Sequence, residues 1–254
     1  MAMTAEAPGE VDKSLVVDLT LAQMRALRQA VNLYVHWTCG DYLVLVAAIK
    51  SGLIPFYADE RIPFTDAVRG QVVEAIAEVV RDLPSHSSLG VTPPGALDDL
   101  ACSMIPLGSV HTAVEGRVSM SVSLSLARSL ARALDLFSRA AMGQVRAFIE
   151  PIRDAHLDDV QRHLALIKHF EARLRRISEL LGFPHGSSYA IGNPRVHVDG
   201  LRAHEIFKVV QRALAIERNP HPSFPSVDYD GLSLRYTSDP APVAETLHKP
   251  PEIV

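Results

Sequence analysis

The sequence predicts an α+β fold, predominantly α-helical, built on a pseudo-twofold internal repeat of strand–helix–Gly–helix units with small β-hairpins. Three observations predict it. The segments LTLAQMRALRQAVNLYVHWTCGDYLVLV (19–46) and VSLSLARSLARALDLFSRAAMGQVRAFI (122–149) align without a gap, 103 positions apart. Apolar residues recur at three- and four-residue spacing through most of the chain. Short alternating runs flank two-residue turns at Glu115-Gly116 and Asp230-Gly231.

The repeat accounts for the first elements. Identical pairs are Leu21/Leu124, Arg25/Arg128, Leu27/Leu130, Ala30/Ala133, Leu33/Leu136 and Gly40/Gly143. Thr20 and Ser123 are helix N-cap types. Leu27, Ala30, Val31 and Tyr34 form one apolar stripe, as do Leu130, Ala133, Leu134 and Phe137. Gly40 and Gly143 end the helices, where a left-handed residue carries no Cβ clash. Asp41 is then expected to cap a second helix over 42–51, closed by Gly52 and Pro55 and apolar all round, hence buried. Its counterpart, 145–150, is more polar and runs into Pro151. The extended segments SLVVDL (14–19) and RVSMSV (117–122) precede the two units, and SVHTAV (109–114) completes a hairpin with the second. The repeats thus occupy about 14–52 and 117–151.

Elsewhere, residues 65–83 read as an amphipathic helix capped by Thr65, with Val68, Val72, Ile76, Val79 and Leu83 on its buried face. A loop over 84–95 leads to a short helix at 96–105. The longest helix is expected over 155–181, with Leu157, Val160, Leu164, Ile167, Leu174 and Leu181 inward. Another follows at 200–217, capped by Asp199, with Ile206, Val209, Val210, Ala213 and Leu214 on one face. The hairpin at Asp230-Gly231 would pair SVDY with LSLRYT. Residues 1–12 read as a flexible acidic tail, 13–218 as one domain, and 219–254 as an extended arm holding seven of the 17 prolines.

Composition bounds the function. The 254 residues are 48% hydrophobic and 21% charged, enough for a sizeable core. A formal charge of −4 gives no bulk electrostatic argument for nucleic acid or an anionic membrane. The longest apolar run, YLVLVAAI, falls far short of the roughly 20 residues of a membrane span. The start of the chain lacks a basic region followed by an apolar stretch. Two cysteines in a chain this long are no disulfide framework, so the expected setting is cytoplasmic, with no membrane partner.

Candidates for chemistry are sparse. Gly-x-Ser-x-Gly, phosphate-loop, dinucleotide and Cys-x-x-Cys motifs do not occur. His204-Glu205 opens like a zinc-protease helix, but Lys208 stands where a second histidine must ligate, so the stretch reads as a solvated helix face. His156, Asp159 and His163 share a helix at spacings that let them approach one ion. Arg162, Lys168, Arg173, Arg175 and Arg176 make that helix the most basic region, suited to a phosphate backbone, though acids are interspersed. His36/Arg139 and Asn32/Asp135 recur at equivalent places beside the apolar stripes. Trp37, the only tryptophan, reads as a core or interface anchor.

The stretch ALDLFSRAAMGQ (133–144) resembles a pattern in uncharacterised proteins of bacteria, phages and prophages, where an aromatic–Ser–Arg pair precedes a small hydrophobic–Gly–Gln step. The stretch YAIGNPRVHVDGLRAHEIFKVVQRALAIER (189–218) is similar to the same proteins. The resemblance implies a helix-rich fold and a mobile-element origin, and brings no activity with it. Together these readings predict a non-enzymatic interaction protein without a cofactor, associating with itself or another protein. The alternatives are a nucleic-acid-associated accessory protein using the 155–181 helix, and a metal-dependent hydrolase using His156, Asp159 and His163.

Overall fold

In the computed structural model the described residues are 13–57, 65–83, 111–112, 116–155, 160–184, 186–223 and 226–248. Strand β1 (Lys13–Thr20) alternates, with Leu15, Val17 and Leu19 buried and the residues between them half-exposed. It enters helix α1 (Leu21–Thr38), which the short helix α2 (Leu43–Lys50) follows. Helix α3 (Asp66–Arg81) comes next, then β2 (His111–Thr112) and β3 (Arg117–Ser123). β3 enters helix α4 (Leu124–Ala141), a 3-10 turn (Val145–Phe148) and helix α5 (Ile149–Ala155). Helices α6 (Val160–Leu180) and α7 (Val198–Arg218), a 3-10 turn at Val227–Tyr229 and strand β4 (Val243–His248) complete the order.

The sheet runs β2–β3–β1–β4, antiparallel throughout, with β2 a two-residue edge. β1 and β3 are in register from Ser14 opposite Ser123 to Thr20 opposite Arg117, so Val17 faces Met120 at the centre. Val118 and Val122 are buried on the same face as Leu15, Val17 and Leu19, and that face lies on the helices. The Arg117 guanidinium donates to the carbonyls of Asp18 (3.1 Å) and Ala241 (3.0 Å), tying the central strand to the chain that leads into β4.

Helices α1 and α4 start and stop by the same devices. Thr20 accepts from the Gln23 amide while Gln23 reaches back to the Thr20 amide, a reciprocal cap. Ser123 accepts from the Leu126 amide. At the other end Gly40 (φ 85°) and Gly143 (φ 83°) turn left-handed. The Asp41 amide then donates to the His36 carbonyl (2.8 Å) and the Gln144 amide to the Arg139 carbonyl (2.9 Å), satisfying last-turn acceptors.

α4 and α7 pack at close range: a Cβ on Gly200 would lie 2.2 Å from that of Ala141. Trp37 is fully buried among Tyr42, Phe148 and Phe170, and its indole N–H donates to the Phe148 carbonyl at 2.9 Å. It is therefore a core residue, joining α1 to the 3-10 turn after α4. Trp37→Phe should cost about 2 kcal/mol in urea unfolding, from a small cavity and an orphaned carbonyl. A change under about 0.5 kcal/mol would mean that the bond contributes nothing.

Several expectations need correction. Asp41 does not cap α2; the N-cap is Tyr42 without a side-chain bond, and Asp41 instead meets His36 Nδ1 at 2.9 Å. α7 is capped by His197, which accepts from the Asp199 amide, so Asp199 is inside the first turn. In α3 the buried residues are Val73, Ile76, Ala77 and Val80, while Val68 is 38% exposed. The adjacent valine pairs 72/73 and 79/80 satisfy helical spacing in two rotations, and the packed one is a residue further on. In α6 Ile167, Phe170, Leu174 and Ile177 face inward, as does Leu181 just after it, and Leu164 is 37% exposed. Pro151 does not end the second short helix; it sits in the first turn of α5, where its missing N–H is not needed. Asp230-Gly231 makes no hairpin, because SVDY forms the 3-10 turn, and the strand of this region is β4, inside the proline-rich arm. The tail at 1–12 and the segment 84–105 lie outside the described residues.

Candidate functional site

The end of α4 carries the most concentrated polar chemistry. Arg139 is half-buried and its Nη1 reaches Glu150 Oε2 at 2.6 Å and Asp135 Oδ2 at 3.5 Å. Its Nε donates to Gln144 Oε1 at 3.1 Å. Gln144 in turn donates from Nε2 to Ser188 Oγ at 3.3 Å, and the Tyr189 amide donates to the Met142 carbonyl at 2.9 Å. Thus the Gly143 turn does two things. It closes the helix, and it aims Gln144 at the connector that follows α6.

Burial pushes the Asp135 carboxyl above its ordinary range, while the Arg139 charge opposes that shift. Burial works against the Arg139 cation, but the hydrogen bonds and charges of Glu150 and Asp135 together outweigh it and the guanidinium is held more firmly protonated. Beside this network lies a cavity of 390 Å³, lined among others by Arg139, Gln144, Arg146, Glu150, Ser187 and Ser188. Arg153 and Glu171, ion-paired to each other, also line it. Ser187 Oγ is buried without a hydrogen-bond partner among the described residues.

No family model, curated protein or solved structure matches this chain.

The basic residues named from the sequence fall differently. Lys168, Arg175 and Arg176 on α6 are exposed, and Arg176 meets Glu179 at 3.5 Å. Arg173 turns to the end of α3 and pairs with Asp82 at 3.5 Å. The Arg162 side chain lies outside the described residues, as do His156 and Asp159. Among the described residues no group of three His, Cys, Asp or Glu is placed to hold a metal, and no helix is long and apolar enough to cross a membrane.

His204 and Glu205 are not a solvated face. Burial, then the Lys208 charge, lowers the His204 pKa, and its ring lies against Tyr236 with centroids 5.8 Å apart. Glu205 is fully buried and accepts from the Tyr236 amide (2.7 Å), the Thr237 amide (2.8 Å) and the Thr237 hydroxyl (2.8 Å). It clamps the chain ahead of β4.

β4 is the outer strand of the sheet beyond β1, and nothing among the described residues pairs with its far side. Val243 and Leu247 are 39% and 51% exposed, on the face away from the helices. Sequence reasoning missed β4, Glu205, Arg146 and Ser187. The alternation in VAETLH was the one signal for the first, and the prolines before and after it hid that signal.

Proposed function

We propose that this chain is a non-enzymatic interaction protein that self-associates, edge to edge, through β4. The observation carrying this reading is the open edge of β4, six residues long, with Val243 and Leu247 exposed beside it. An unpaired strand edge presents a row of free amides and carbonyls that another strand can complete. The occupant that fits is a second copy. Antiparallel pairing centred on Glu245 places Val243 opposite the partner copy's Leu247 twice, on the open face.

The internal repeat supports the same kind of origin, in pairing of like units. We read the two units as a pseudo-twofold pair, on four grounds: α1 and α4 have equal length, the two glycine turns match, both 6→1 closures match, and Val17 faces its own counterpart Met120. Light scattering behind size exclusion tests the assembly. The wild type should be dimeric or larger at about 50 μM, and Leu247→Lys should shift it towards monomer at least tenfold. Glu245→Gln should tighten it, because the two Glu245 carboxylates would face each other across the pair. A monomeric wild type at that concentration sinks the reading.

The nucleic-acid reading keeps Lys168, Arg175 and Arg176, which reach solvent on α6. It is the lesser one, because Arg173 and Arg176 are already paired with carboxylates. Mobility shift at low salt separates the two: retardation that Lys168→Glu abolishes would favour it.

A further inference from the structure

The polar cavity at the end of α4 has a composition that points to a ligand. Its lining holds three guanidinium groups, Arg139, Arg146 and Arg153, against two carboxylates, Glu150 and Glu171. Arg139 is held by Glu150 and Arg153 by Glu171. Arg146 has no ion pair among the described residues. Its Nη1 stands 3.3 Å from the position a Cβ on Gly186 would take, so it borders the connector that carries Ser187 and Ser188.

The remaining groups are donors. Ser187 Oγ has a hydroxyl proton and no acceptor for it among the described residues. Ser188 Oγ already accepts from Gln144 Nε2, which leaves its own proton to donate. One uncompensated guanidinium beside two hydroxyl donors complements an oxyanion rather than a cation or a neutral amide. The cavity opens to solvent, and its volume, 390 Å³, is that of a small-molecule site rather than of a few waters.

We infer that this cavity is a binding site for a small oxyanion-bearing molecule, a carboxylate or a phosphate monoester, with Arg146 as the counter-charge and Ser187 and Ser188 as donors. The carboxylates Glu150 and Glu171 neutralise the other two arginines, so the lining carries one net positive charge and suits a single anionic group. This inference is independent of the assembly proposed above, since β4 takes no part in the lining.

Calorimetric titration of the full chain at low salt with inorganic phosphate and, separately, with acetate tests it. Saturable binding of at least one probe below about 10 mM is expected. Arg146→Gln should weaken that binding about tenfold or more, and Ser187→Ala about threefold. Lys168→Gln, a change at an exposed cation elsewhere, should leave it unchanged. The probe that binds more tightly shows which oxyanion the site prefers. Absence of saturation with both probes overturns the inference, as does an equal loss with Lys168→Gln and Arg146→Gln, which would mean unspecific attraction. Arg146 is exposed, so its variant should keep the wild-type circular dichroism spectrum and urea midpoint.

Discussion

Gly143→Ala is expected to destabilise the protein by about 3 kcal/mol, although it adds a single methyl group. Two costs combine. The residue sits at φ 83°, where a Cβ costs about 1 kcal/mol. The added Cβ would also lie 2.1 Å from Phe183 Cζ. That ring cannot withdraw freely, being buried with Tyr57 at 5.4 Å and Tyr189 at 5.5 Å between centroids. Forcing such a ring off its position costs about 1–3 kcal/mol. Gly52→Ala separates the two costs. Gly52 has φ 79° with nothing within 4 Å of the added Cβ, so it should cost only about 1 kcal/mol. Urea denaturation of both variants measures the difference. Equal losses would mean that Phe183 yields, and that the tightness of this turn is not what demands glycine.

How far the sequence discloses such features depends on whether the cause is local. Thr20, Ser123, Thr65, Gly40 and Gly143 act on backbone within a few residues of themselves, and each cap or stop stands where its residue type puts it. Helix existence was legible for the same reason. The rotation of α3 was not, because adjacent valines left two faces equally apolar and only packing against α2 and α6 chooses between them. β4 was hidden for a different reason. Its partner β1 lies more than two hundred residues earlier, and no local turn announces their pairing.

The polar sites show the same division. Arg139 was visible as a polar recurrence of His36, and the structure gives the two parallel bonds: His36 to Asp41 and Arg139 to Gln144, each joining a residue to the fifth one on. What the sequence does not contain is the approach of Ser187 and Ser188, which depends on where α6 ends and how the connector returns to Met142. Glu205 was misread outright. A charged residue on a helix is ordinarily solvated, and only a distant segment that brings two amides, the Thr237 hydroxyl and the Arg235 guanidinium (3.7 Å) makes burial tolerable.

That dependence makes Glu205→Ala the second large effect, with an expected loss of about 4 kcal/mol. The substitution leaves the Tyr236 and Thr237 amides without their acceptor and opens a cavity in a fully buried position. Glu205→Gln keeps the shape and one oxygen acceptor, so it should lose about half as much. The effect should also have a direction along the chain. The arm before β4 keeps other ties, from Arg202 to Asp239 (2.7 Å) and from Gln23 to the Pro240 carbonyl (2.8 Å). Loss of the Glu205 clamp should therefore loosen β4 without releasing it, seen as faster hydrogen exchange at Val243–His248 than in α1 or α4. If β4 is the association edge, Glu205→Ala weakens assembly and stability together, whereas Leu247→Lys weakens assembly alone. Unchanged exchange in β4 with a loss below about 1 kcal/mol would show that the arm holds its place by its other contacts and that the buried carboxylate is not its clamp.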